Sequence, residues 1–275
     1  MLKKTRTKNK KITESINYAK RIQTAILPPT KLVKQYLNDS FILYKPKDVV
    51  AGDFYWMEPR ADLILFAAAD CTGHGVPGAM VSVVCSNALN RAVNEFKLLQ
   101  PNDILFKTRE LVIETFSKSE KNVDDGMDIA LCAIDSERGR LFFSGANNPL
   151  WLIRKTESTP EESADNALEG ETHTLYEFKG DKQPIGLYGN LLPFSNREVT
   201  LQKGDVIYLF TDGFPDQFGG ENGKKFMYKP FKRELLNMCR LDMSMQKTHI
   251  ENLFSDWKKD LEQVDDVCVI GFKVM

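Results

Sequence analysis

Asp62-Leu-Ile-Leu-Phe-Ala-Ala-Ala-Asp70 is almost wholly apolar, ends on a carboxylate, and runs straight into Cys71-Thr-Gly-His-Gly-Val-Pro-Gly78. An apolar run of this length suits a central strand buried on both faces. The glycines that follow mark a turn opening a helix, which the spacing sets at 78–96. Two readings share this order of strand, turn and helix. In one, Gly73-His-Gly75-Val-Pro-Gly78 is the GxGxxG loop of a dinucleotide fold, with Glu95 at a suitable distance for a ribose. In the other, the turn exists to present Asp70.

The rest of the chain decides between them. Asp70 would oppose a pyrophosphate, and Asp-Cys-Thr lengthens a turn that a dinucleotide loop keeps tight. Further apolar runs at 40–44, 129–134, 140–144, 150–154, 174–178, 205–210 and 267–274 read as strands. Helical stretches fall at 102–117 and within 231–263. Strands in clusters with helices in pairs lack regular βα alternation and predict an α+β sandwich. The acidic, Ser/Thr-rich stretch 156–172 reads as an exposed excursion between strands.

Ahead of the sandwich, Ile12, Ile16, Ala19, Ile22 or Gln23, and Ile26 recur at three and four, so 12–27 is an amphipathic helix stopped by Pro28-Pro29. The basic start, 1–11, has no apolar signal-peptide core and reads as a solvated tail. This divides the chain into a tail with a linker or regulatory helix (1–39) and a catalytic domain (40–275). Net charge is -1, which gives no electrostatic reason to expect nucleic acid. Five scattered cysteines with no CxxC pair argue against a zinc ribbon or a disulfide scaffold and fit a reducing compartment. No apolar run is long enough for a membrane span. The expectation is a soluble, cytoplasmic protein.

Four acidic sites sit at strand ends or in glycine turns: Gly52-Asp53, Asp70-Cys71-Thr-Gly-His74-Gly, Thr211-Asp212-Gly213 and Asp265-Asp266. One Asp-Gly alone is ordinary turn chemistry. Four delivered by apolar strands to one rim would repel each other strongly without a counter-charge. Hard divalent cations resolve that conflict, and an oxygen-only set favours Mg²⁺ or Mn²⁺ over zinc. Two-metal carboxylate sites of this kind serve in-line attack on phosphorus.

The ordered set Gly52-Asp53, Asp70-Cys-Thr-Gly-His-Gly75, Ser144-Gly-Ala-Asn-Asn-Pro149, Gln183-Pro-Ile-Gly186, Thr211-Asp-Gly213 and Asp265-Asp266 resembles the metal-dependent protein phosphatases (PPM, or protein phosphatase 2C-like). It is similar to their bacterial branch, typified by the stage II sporulation E phosphatase and the stress-response sigma-factor regulators. Arg21-Ile-Gln-Thr-Ala-Ile-Leu-Pro-Pro29 resembles the helix that precedes this domain in such proteins. The resemblance implies a four-layer α-β-β-α sandwich with two central antiparallel sheets and the metals at one end. It implies two Mn²⁺ or Mg²⁺ ions bridged by Asp70, with the Cys71 backbone carbonyl on one ion, Asp212 and Asp265 on the other, and Asp53 beside them. Of the Asp265-Asp266 pair it points to the first. The implied activity is hydrolysis of phosphoserine or phosphothreonine by a metal-bound hydroxide, with His74 a candidate general acid. The implied substrate is a phosphorylated anti-anti-sigma-type protein. An upstream sensor would act through the 12–27 helix, which also offers a homodimer contact.

Two rivals remain besides the dinucleotide reading. A catalytically silent domain of the same fold, acting only as a partner-binding module, would be expected to have lost ligands. A metal nuclease would be expected to carry a basic groove with aromatic platforms, which the balanced charge does not support.

Overall fold

The computed structural model describes residues 2–60, 62–117, 125–189 and 191–275, with side chains from Lys8 onward. It opens with helix α1 (Leu2–Ile26) and a short helix α2 (Thr30–Tyr36), then strands β1 (Ser40–Lys45), β2 (Phe54–Arg60) and β3 (Leu63–Cys71). Helices α3 (Gly75–Asn94) and α4 (Pro101–Phe116) lead into β4 (Met127–Asp135), β5 (Arg140–Ala146), β6 (Leu150–Lys155), β7 (Asn166–Glu169), β8 (His173–Phe178), β9 (Arg197–Thr200) and β10 (Val206–Phe210). A single turn α5 (Gly213–Asp216), a small ribbon β11 (Phe218–Gly219) and β12 (Lys224–Lys225), helices α6 (Tyr228–Met238) and α7 (Met243–Lys258), and β13 (Val267–Lys273) complete it.

Two sheets form, in the orders β1-β13-β10-β6-β8-β7 and β2-β3-β4-β5-β9. Neighbouring strands in both are antiparallel. Strand residues alternate between faces, and here both faces of each sheet are apolar. On β4, Ile129, Leu131 and Ala133 pack toward α3 and α4, while Ala130, Cys132 and Ile134 pack toward the other sheet. On β13, Cys268, Ile270 and Phe272 meet that central layer, while Val267 and Val269 turn to Phe231, Ile250 and Phe254 of α6 and α7. Three apolar layers therefore separate four layers of structure: helices, sheet, sheet, helices. Antiparallel pairing also disposes of the dinucleotide reading, which needs parallel strands.

Several sequence expectations change in detail. The basic start, read as a solvated tail, is helical from Leu2, with residues 8–11 exposed, while Met1 lies outside the described residues. Pro29 stops α1 and also serves as N-cap of α2, whose Val33 joins the core between the sheets. Helix α3 starts three residues earlier than the spacing predicts, with His74 as its N-cap. The 156–172 excursion contains β7. Among the described residues, no helix is long and apolar enough to cross a membrane.

Candidate active site

The acids collect where β3, β4, β10 and β13 end or begin at one end of the sandwich. Asp70 stands next to last on β3, and its partner across the ladder is Asp128 near the start of β4. Asp212 follows β10 as the N-cap of α5, and Asp265 lies just before β13. All four line one cleft of about 260 Å³, together with Cys71, His74, Gly126 and the segment Pro184 to Leu187. No lysine or arginine lines it among the described residues.

The glycines are there for close approach. Gly73 has φ of +81°, and a Cβ on either Gly52 or Gly78 would collide with its carbonyl oxygen. The Asp53 loop, the Asp70 turn and the start of α3 are thereby packed backbone to backbone.

Behind this front row lie Asp53 and Asp266, both buried. Asp53 accepts a 2.6 Å hydrogen bond from the Thr211 hydroxyl, and Tyr44 donates to its backbone carbonyl (2.9 Å). Asp266 accepts from the backbone N–H of Lys47 (2.7 Å) and of Gly52 (2.6 Å), so its carboxylate fastens the 47–52 loop. Asp265 has no such employment beyond the N–H of Asp266 (2.8 Å). The structure thus separates a pair that the sequence leaves open: one carboxylate is tied to the scaffold, and the other faces the cleft.

Electrostatics separate the carboxyl groups too. Burial first, then the charges of Asp53, Asp212, Asp265 and Asp128, push Asp70 up to about 10. Asp212, within hydrogen-bond reach of Asp70, is pushed up to about 6 by burial and by Asp216 and Asp265. Asp53 is raised mainly by burial, against the pull of its Thr211 bond. Asp70, at about 10, keeps its proton at neutral pH, whereas Asp212, at about 6, has largely lost its own. Oxygen donors alone, crowded and short of counter-charge, fit a hard divalent cation. Among the described residues no three side-chain donors are already closed around one point. That suits Mg²⁺-like ions, which take few carboxylates and fill their shells with water and carbonyls.

Cys71 lines the cleft, but its sulfur does not serve it. Its thiol is buried in the helix-side core, and burial raises its pKa well above the ordinary value, which removes it as a nucleophile. His74, half-exposed at the cleft mouth, pairs through Nδ1 with Asp48 (2.8 Å). Asn147, at a left-handed φ of +59°, donates to Asp128 (2.7 Å). Asn148 sits beside it, but its side-chain nitrogen is buried without a partner.

Sequence reasoning missed Asp128, Asp48 and the anchoring role of Thr211. Asp128 was within reach: Gly126-Met-Asp128 repeats the pattern of a glycine and an acid where an apolar strand begins.

A double antiparallel sandwich between helix pairs, with uncompensated aspartates at one end, defines a phosphatase domain of the protein phosphatase 2C type. Residues 60–275 match the family described as Stage II sporulation protein E (SpoIIE), and the chain belongs to it. It is 24% identical over 263 residues to the phosphoserine phosphatase RsbU of Bacillus subtilis, covering 94% of this chain and 70% of that protein. Among solved structures it resembles the SiaA-PP2C domain of Pseudomonas aeruginosa, with 32% identity, a TM-score of 0.81, and 96% and 98% of the two chains covered. The phosphatase domain of SpoIIE from Bacillus subtilis, solved with a fragment of its regulatory domain, shares the fold at 14% identity. The TM-score there is 0.63, covering 86% of this chain and 63% of that one. The chain is accordingly a serine/threonine phosphatase domain of a signalling family whose members depend on Mn²⁺ or Mg²⁺.

Proposed function

We propose that this domain removes phosphate from a phosphoserine or phosphothreonine of an anti-anti-sigma-type protein in the cytoplasm, with two Mn²⁺ or Mg²⁺ ions held in the acidic cleft. The observation that carries the reading is the cleft itself: four half-buried carboxylates with no lysine or arginine among its lining. Asp70, the Cys71 backbone carbonyl, Asp212 and Asp265 would hold the ions. Asp53 supports them from behind, held by Thr211. Asp266 acts through the 47–52 loop rather than on an ion. When bound, the ions supply an activated water for in-line attack on phosphorus and neutralise phosphoryl charge. His74, held by Asp48 at the cleft mouth, would supply the proton to the departing serine oxygen.

The test is phosphate release from a phosphoserine peptide with Mn²⁺, with Mg²⁺ and with EDTA, beside Asp70→Asn. Metal-dependent turnover that the substitution lowers by about a thousandfold or more is expected, on the scale of losing a key electrostatic group. A rate indifferent to EDTA and to Asp70→Asn would overturn the reading. A folded protein that neither binds metal nor releases phosphate would favour the partner-binding module, whereas metal binding without turnover would point to a domain awaiting its dimer partner or its proper substrate.

A second element of the reading concerns α1, through which an upstream sensor module or protein would act. Gln23, buried, donates to the Ala51 carbonyl (2.5 Å) and to Ser82 Oγ (3.0 Å), and accepts from the Ala51 N–H (3.0 Å). That bolts the helix to the residue before Gly52-Asp53. Ile12, Tyr18 and Ile22 are exposed on the same helix. These observations support a homodimer contact along 12–27 that gates the site. Ile16→Asp with Ile22→Asp should lower both the solution mass and the phosphatase rate; if neither moves, this element fails.

A further inference from the structure

One wall of the cleft carries no acid at all. Ile185 exchanges two backbone hydrogen bonds with Met127, the neighbour of Asp128 (2.9 and 2.8 Å), and Pro184 to Leu187 line the cleft. Beyond it the chain turns outward, and Leu187, Tyr188, Leu191 and Leu192 are 45–63% exposed. Lone exposed leucines need no explanation, but four large apolar side chains within six positions at the mouth of a cleft do.

Beneath this lip lies Arg109 of α4, only 1% exposed. Its guanidinium donates to Gln183 Oε1 (2.8 Å) and to the Leu192 carbonyl (2.7 Å), and lies 4.6 Å from the Phe194 ring centroid. The Gln183 amide donates to the same Leu192 carbonyl (3.1 Å). No carboxylate among the described residues pairs with this guanidinium. A buried cation whose hydrogen-bond partners are all neutral, supported only by the nearby charge of Glu110, is costly, and an aliphatic residue would fill the space with less penalty. What the arginine does that an aliphatic residue does not is tie both stems of the lip, 183 and 192, to one rigid helix.

We propose that Arg109 and Gln183 hold the lip formed by Leu187, Tyr188, Leu191 and Leu192 as a docking surface for the phosphoprotein substrate, one whose phosphorylated serine or threonine has apolar neighbours. This rests on the phosphatase reading above. The occupant follows from continuity: Leu187 belongs to both cleft and lip, so a chain presenting phosphate to the acids lays its flanking residues on Tyr188, Leu191 and Leu192. Acidic flanks would meet the repulsion of the front row, whereas apolar flanks lose water against the leucines. Arg109 is a positioning residue, since it touches the lip and not the reacting atoms.

Two phosphoserine peptides of equal length test this, one with leucines on both sides of the phosphoserine and one with serines there. Wild-type protein with Mn²⁺ should favour the leucine peptide by about tenfold in kcat/KM, equivalent to about 1.4 kcal/mol. Leu191→Ser with Leu192→Ser should erase that preference, mostly through KM. Arg109→Met should erase it as well. Gln183→Leu, which keeps the arginine, serves if Arg109→Met fails to fold. Equal kcat/KM for both peptides in the wild type, or a preference that survives the double substitution, overturns the docking surface. An Arg109→Met protein that loses both peptides equally and keeps the preference reduces Arg109 to a packing role. If the wild type hydrolyses neither peptide with any metal, the phosphatase reading falls and takes this one with it.

Discussion

Strand β10 has an aspartate beyond each end, and the two are treated in opposite ways. Asp205, before it, is 2% exposed and meets Arg154 through Nε (2.9 Å) and Nη2 (2.6 Å), with the Gln202 N–H adding a third bond (2.8 Å). Arg154 also reaches the Thr200 carbonyl (2.6 Å), tying the six-stranded sheet to the edge of the other. Asp212, after it, shares its surroundings with Asp70, Asp216 and Asp265; Lys225 pairs with Asp216 (2.8 Å), and among the described residues no lysine or arginine lines the cleft that Asp212 faces. At one end the fold supplies its own counter-charge and gains rigidity. At the other it withholds one, and the vacancy in charge is what a divalent ion fits. The same strand thus separates an acid tied into the scaffold from an acid that lines the cleft.

The sharpest way to break that contrast is to remove the built-in cation. Arg154→Met leaves Asp205 buried without its partner and should cost about 3–5 kcal/mol of stability, read by urea unfolding. Adding Asp205→Leu should restore most of it, because two apolar residues need no pairing. A single variant as stable as wild type would mean that Asp205 is hydrated and that the two ends do not differ as argued.

A smaller effect separates the ends by pH. In EDTA the folded protein holds protons on the Asp70–Asp212 pair, pushed to about 10 and about 6, that the unfolded chain releases near 4. The folded state binds more protons across that window, so stability must fall as pH rises. The slope is at most about 1.4 kcal/mol per pH unit for each proton. Between pH 4 and 6 both groups contribute, and above 6 only the higher one does. Mn²⁺ or Mg²⁺ takes the place of those protons, so the metal-loaded protein should lose this slope. Thermal unfolding of wild type and Asp70→Asn with Asp212→Asn, at pH 5 and pH 7 with and without metal, reads the difference. If the double variant in EDTA shows the wild-type slope, the proton load lies elsewhere.

The contrast also explains what was legible in the sequence. Central strands such as β3, β4, β10 and β13 are buried on both faces and announce themselves as apolar runs. Within the two main sheets, the three strands that the pattern did not give, β2, β7 and β9, are all edges. There, Glu58-Pro59-Arg60, Asn166 and Glu169, and Arg197-Glu198 are admitted because one side of the ladder has no partner. Asp70, Asp212 and Asp265 were readable because each follows or precedes such a central run, whereas Asp53, ahead of edge strand β2, was read from its glycine turn. Asp48 was not, since it reaches His74 from a loop with no pattern to mark it. Arg109 was hidden for the opposite reason: on an amphipathic helix, an arginine reads as part of the wet face.

The finest test of the contrast concerns Asp128, the acid least crowded by its neighbours. Burial raises its pKa, and the 2.7 Å bond from Asn147 pulls it back down. Asn147 pays for that bond with a left-handed backbone, which asparagine tolerates better than most residues. Asn147→Gly relieves the backbone and deletes the donor, so it isolates the electrostatic role. Losing one hydrogen bond to a carboxylate is worth about 1.5–3 kcal/mol at full burial and less at this half-exposed site. A fewfold shift in the Mn²⁺ concentration needed for half-maximal rate is therefore expected, with little change in unfolding. A larger shift would make Asp128 a direct partner of an ion. No shift at all would leave it an acid of the wall, on the structural side of the comparison with Asp205.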